Sequence, residues 1–229
     1  MNLEEVRFSE NRNLGAASRG NFNPESQHKI KHIVFYDSTL TEVDTLLEGK
    51  IKDFVYIPVN LSDDFVNLVQ TKLSDNIYTD SFSIFCHGTS HGLKIGNKLF
   101  DEKQLTLLEK ILPTTLGIKN IFLYSCEIGQ NDKFINNFAK LFHANVYSST
   151  KLVGHPSKNA SWDLTASSEN FHVPQNNIRP FSKQALLNWT HCLLNIDITN
   201  VADYLAGIFI PPGGIAYSAG ALSENINVT

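Results

Sequence analysis

The chain is short of cysteine, has no cluster of basic residues, and lacks the basic start a secretory signal requires. Each shortage removes a class of protein. Three cysteines in 229 residues, an odd number, do not make a disulfide framework, so reduced thiols are expected. Lys and Arg total 19 against 23 Asp and Glu, for a net charge of −4. With no Lys/Arg stripe, a nucleic-acid partner is not expected. The first residues, MNLEEVRF, are acidic where a signal peptide is basic and then apolar. The expected location is the cytoplasm, or outside the cell by a route that needs no signal peptide. Residues 204–222 carry no charge, but Pro211, Pro212, Gly213 and Gly214 interrupt them, so no membrane-spanning helix is expected there. No internal repeat or low-complexity segment is present. No phosphate-cradling glycine loop follows the first strand, and a serine hydrolase built on a Gly-x-Ser-x-Gly elbow is not expected. Nor is there a Cys-x-x-Cys pair. His87 and His91 are four apart, a metal-pair spacing only on a helix, and they fall in a strand end and turn. No metal or cofactor is therefore expected.

What remains is 42% hydrophobic and 18% charged, as in a soluble domain with a sizeable core. Residues 1–29 are polar and aperiodic and read as a flexible leader. Strands are predicted over 30–37, 54–59, 81–88, 120–126 and 145–149, with a sixth around Trp162, Asp163 and Leu164. Helices are predicted over 41–49, 63–73, 101–112, from Asn131 or Asp132 to Phe142, and over 182–189. Residues 91–100 alternate around Gly96 and Asn97, which is a hairpin signal. Alternation of strand and helix predicts a three-layer α/β/α sandwich with a mostly parallel central sheet. The domain is drawn at 30–190, followed by an apolar, Gly- and Pro-containing tail or linker over 191–229.

Two of these strands end in chemically capable residues. SFSIFCHG (81–88) and NIFLYSC (120–126) are nearly continuous apolar runs, the pattern of strands buried on both faces of a parallel sheet. In such sheets ligands bind beyond the carboxyl ends of the strands, where His87 and Cys126 would meet. A thiol is mostly protonated at neutral pH and needs a base, which His87 would supply. Gly88, having no side chain, can bring its N–H close to a substrate carbonyl and, with the N–H of Cys126, form an oxyanion hole. Glu127 opposes this by raising the thiol pKa. Both residues also have plainer readings, as a buried core thiol and a satisfied polar strand end. Cys86 points away from His87 and is assigned to packing.

The order of these features resembles the caspase-like cysteine peptidases. The likeness is greater to a domain of unknown function found at the start of large bacterial repeat and adhesin-like proteins. It is carried by residues 35–38 (FYDS), Cys86-His87-Gly88, residues 93–96 (LKIG), residues 123–126 (LYSC), and Gly154 with residues 161–164 (SWDL), and it spans about 31–165. The resemblance implies a peptidase fold with a His87/Cys126 dyad and a protein or peptide substrate. Caspases place Gln, and metacaspases Asp, two residues before the nucleophile. Tyr124 stands there in this chain and is expected to line the substrate site, but neither specificity carries over. Asp37, ending the first strand, remains the candidate to line the substrate pocket and favour Lys or Arg, with a turn or cap role as its plain alternative. Against the enzyme stands a non-catalytic module acting in secretion, attachment or protein interaction. The uncharged tail is expected either to dock on its own domain, across the cleft, or to serve as a connector.

Overall fold

His32–Asp37 forms β1, buried at every residue, which places it in the middle of a layered structure rather than at an edge. In the computed structural model of the protein, residues 32–75, 79–96, 98–112, 116–168 and 178–194 are described. The predicted leader, Asn97 of the hairpin turn and the tail beyond Leu194 lie outside them. After β1 come α1 (Val43–Leu47), β2 (Phe54–Val59) and α2 (Phe65–Asp75). β3 (Ser81–Phe85) is followed by three short strands, β4 (His87–Thr89), β5 (Gly92–Ile95) and β6 (Lys98–Phe100). Then come α3 (Glu102–Ile111), β7 (Asn120–Tyr124), α4 (Asp132–Phe142), β8 (Asn145–Ser148), β9 (Ala166–Ser167) and α5 (Lys183–Asn188).

The large sheet has the order β2-β1-β3-β7-β8-β9, parallel except at β9, and β4-β5-β6 make a separate antiparallel sheet. Alternate residues of each strand serve opposite faces, as the pleat demands. Ile33, Phe35, Phe82, Ile84, Ile121 and Leu123 enter one core with α2, α3 and α4. Val34, Tyr36, Phe85, Phe122 and Tyr124 enter the other with α1, α5, Trp162 and Trp189. The protein is thus a three-layer α/β/α sandwich. Among the described residues no helix is long and apolar enough to cross a membrane.

Local chemistry explains where helices start. Asp101 accepts from the N–H groups of Lys103 and Gln104, and Asn131 accepts from that of Phe134, so orphan donors of α3 and α4 are capped. α4 then buries Phe134, Ile135, Phe138 and Phe142 on one face; Leu141, expected among them, is only partly buried. The sixth strand is not at Trp162 but at Ala166–Ser167, antiparallel to β8. Trp162 instead stacks on Phe85, with ring centroids 5.8 Å apart, from an irregular segment beneath the sheet.

Candidate active site

β3 and β7 lie side by side with Phe85 opposite Tyr124, and both end there. The amide of Cys86 still donates to the Tyr124 carbonyl at 3.2 Å. The chain then leaves the large sheet. His87, expected at the end of the parallel strand, is instead the first residue of β4, opposite Lys94 of β5. The apolar run is continuous through Cys86, so residue types alone do not reveal the change of partner. Two residues beyond Tyr124 comes Cys126, and the next residue, Glu127, turns the chain with φ +59°. His87 and Cys126 therefore follow adjacent strands at the same sheet edge.

Gly88 shows how closely the two strand ends approach. A Cβ on Gly88 would lie 1.8 Å from Ser125 Oγ and 3.0 Å from the carbonyl oxygen of Cys126, so no side chain fits. Its amide donates to the carbonyl of Leu193 at 3.2 Å. That partner belongs to a segment, residues 191–194, laid across the sheet edge. Leu193 N–H donates to Val153 O at 2.8 Å, and His155 N–H donates to His191 O at 2.9 Å. Cys192 pairs antiparallel with Gly154, and Leu194 pairs parallel with Gly88. Gly154 makes this possible: a Cβ there, at φ +149°, would stand 2.5 Å from the Cα of Cys192. The segment is anchored upstream by Trp189, whose indole N–H donates to Thr41 O at 2.7 Å, and by His191, 3.1 Å from the Glu42 carboxylate.

Under this segment Cys126 has no exposed surface. Val153 N–H donates to Cys126 Sγ at 3.2 Å. Burial drives the thiol pKa well up; Cys192 and Glu127 add to the rise, while the backbones of Val153 and Leu193 oppose it. Burial also lowers the pKa of His87, against the backbone of Leu193 and the charge of Asp37, which raise it, and with Lys94, which lowers it further. Both shifts favour the uncharged forms, imidazole and thiol. His87 Nδ1 is buried without a hydrogen-bond partner. The backbone of Leu193 is thus a polar neighbour of both side chains.

The remaining candidates have other occupations. Asp37 was expected to face substrate; it is fully buried, and its carboxylate accepts from Thr39 N–H at 2.9 Å, Thr39 Oγ1 at 2.7 Å and Gly96 N–H at 2.8 Å. It ties the end of β1 to the β5–β6 turn. Tyr124, also placed at the substrate, is buried too, and its hydroxyl donates to Ile178 O at 2.9 Å. Cys86 is buried in the core on the α2–α4 side of the sheet. Residues 88–92 read GTSHG, the spacing of a nucleophile elbow. Ser90, however, sits in the turn between antiparallel β4 and β5, not between a strand and a helix. Sequence reasoning missed residues 153–155 and 191–194, which contribute through backbone groups. Gly154 was the one available signal.

Fold and site together define an α/β/α domain with a histidine and a cysteine at one sheet edge, covered by a segment of its own chain. A family model described as a domain of unknown function, DUF4347, matches residues 33–193, and the chain belongs to that family. No curated protein and no solved structure matches it.

Proposed function

We propose that this domain is a caspase-like cysteine endopeptidase in which Cys126 is the nucleophile and His87 its base. The observation that carries the reading is what lies at the sheet edge: an extended stretch of polypeptide, held by backbone hydrogen bonds, with one residue neighbouring both His87 and Cys126. Peptidase clefts commonly bind substrates by strand addition, where main-chain pairing gives affinity and side-chain pockets give specificity. The Gly88 amide donates to a peptide carbonyl, which is the work of an oxyanion-hole donor. A neutral His/Cys pair favours general-base catalysis, with the thiol proton leaving as the sulfur attacks, over a preformed thiolate.

The deep burial of Cys126 and its raised pKa favour a second reading, a module that keeps the fold without catalysis. One experiment separates the two. A peptide library is digested with the wild-type chain, Cys126→Ala and His87→Ala, and cleavage is read by mass spectrometry. Cleavage lost in both variants supports the enzyme; no cleavage, or cleavage that survives in Cys126→Ala, leaves the non-catalytic module.

A further inference from the structure

We propose that the first substrate of this site is the chain itself, and that the bond cut is Leu193–Leu194. This rests on the peptidase reading above and adds to it the identity of the substrate. Three contacts assign the bond. The Leu193 carbonyl accepts from the Gly88 amide at 3.2 Å, the position a scissile carbonyl takes in an oxyanion hole. The Leu193 N–H donates to Val153 O at 2.8 Å, and two residues earlier His191 O accepts from His155 at 2.9 Å. The residues before the bond are therefore held as an antiparallel strand along residues 153–155. Beyond the bond, Leu194 pairs with Gly88.

The chemistry balances with water as the only co-reactant. Cys126 Sγ bonds to the Leu193 carbonyl carbon while the thiol proton passes to His87. The C–N bond to Leu194 breaks as the imidazolium returns that proton to the departing amine. Water, deprotonated by His87, then hydrolyses the thioester, leaving a Leu193 carboxylate and a free thiol. Cleavage detaches everything from Leu194 onward, so the remaining segment must leave before a substrate in trans can enter. Until then the site stays closed, in keeping with a Cys126 that has no exposed surface. The preferred residue before the cut is then leucine, an apolar choice in keeping with a site where Asp37 is already bound elsewhere.

The test uses the full 229-residue chain. Wild type, Cys126→Ala, His87→Ala and Leu194→Pro are incubated over a hundredfold range of protein concentration and followed by intact mass spectrometry. In parallel, an electrophilic acyloxymethyl ketone ending in leucine is used to label the thiol. Expected are fragments ending at Leu193 and beginning at Leu194 in the wild type only, at a rate independent of concentration, with probe labelling of Cys126 rising as cleavage proceeds. Cys126-dependent cleavage at another bond overturns the assignment but leaves the peptidase. So does an uncut wild-type chain whose Cys126 takes the probe in a His87-dependent way. An uncut chain that takes no probe overturns both.

Discussion

The two faces of the central sheet are covered in different ways, and the site lies against the less regular cover. On one face α2, α3 and α4 pack a core built from aliphatic side chains, phenylalanines and the inert Cys86. On the other, two short helices share the work with irregular segments around Trp162 and Trp189, and Cys126 belongs to that cluster. Here aromatic groups bring polar tips that reach distant backbone. Tyr56 donates to Pro180 O, Tyr124 to Ile178 O and Trp189 to Thr41 O, at 2.7, 2.9 and 2.7 Å. The helical cover is held mainly by buried area, with a Lys133–Glu102 ion pair joining α4 to α3. The irregular cover is also fastened at discrete points, which positions it accurately and allows it to open locally.

The comparison is tested most severely at Phe138, 1% exposed and in contact with the rings of Phe82, Phe100, Phe134 and Phe142. Phe138→Ala is expected to cost about 3–5 kcal/mol, shared by the whole domain. Urea denaturation followed by far-UV signal and by tryptophan fluorescence should shift together. If only one probe moved, the two cores would be independent units.

Next in size is acid sensitivity on the irregular face. His32 is fully buried, with its ring nitrogens 2.8 and 2.7 Å from Ser81 Oγ and Ser83 Oγ. Burial pushes its pKa down to about 3, with Asp80 opposing. The unfolded chain, near 6.5, binds the proton more readily, so stability is fully present above about pH 6.5 and is lost as pH falls toward about 3. The slope approaches about 1.4 kcal/mol per pH unit inside that window, or roughly 2–3 kcal/mol by pH 4.5. His32→Gln should flatten the stability curve there; an unchanged slope would assign acid sensitivity to other groups.

A smaller effect contrasts the two cysteines directly. In a His87→Ala background, which keeps the chain whole, Gly154→Ala places a methyl against the Cys192 backbone and should displace residues 191–194. Iodoacetamide labelling of Cys126 is expected to rise about tenfold, equivalent to some 1.4 kcal/mol of local opening, while Cys86 stays protected. Equal gains at both thiols would mean general loosening instead. Smallest is Asp101→Ala on the helical face. It removes the cap of α3 and should lower stability by about 1 kcal/mol in thermal or urea melts, with no change in thiol labelling.

Sequence patterns disclosed the helical face almost completely, because its determinants are local. Apolar spacing marks α2 and α4, and Asp101 and Asn131 mark where helices begin. The five parallel strands β1, β2, β3, β7 and β8 were legible in the residue pattern, and the order β2-β1-β3-β7 brings His87 and Cys126 to one edge. The rest depended on partners. Nothing in the residue types of 81–88 shows that pairing switches at Cys86, since the apolar pattern continues across the break. A two-residue strand such as β9 has no periodicity to detect. The segment 191–194 binds through amides and carbonyls that every residue carries, so it read only as the beginning of an apolar tail. Drawing the domain boundary at 190 left out the four residues that close the site.

That segment also has a mechanical meaning. It bridges Gly88 of the small sheet and residues 153–155 next to the large one, and all the chain beyond it runs on from Leu194. Tension applied at Leu194 therefore loads the Leu193–Gly88 and Leu193–Val153 hydrogen bonds before it reaches any core strand. These few bonds are set to peel one at a time, while β1, β3 and β7, buried in mid-sheet, remain unloaded. In a single-molecule pulling experiment on the His87→Ala chain, which stays whole, with the handle attached at residue 194, the first rupture should be small and should bare Cys126 while the rest of the fold holds. A first event that unfolds the whole domain would show that the segment is not the weak link.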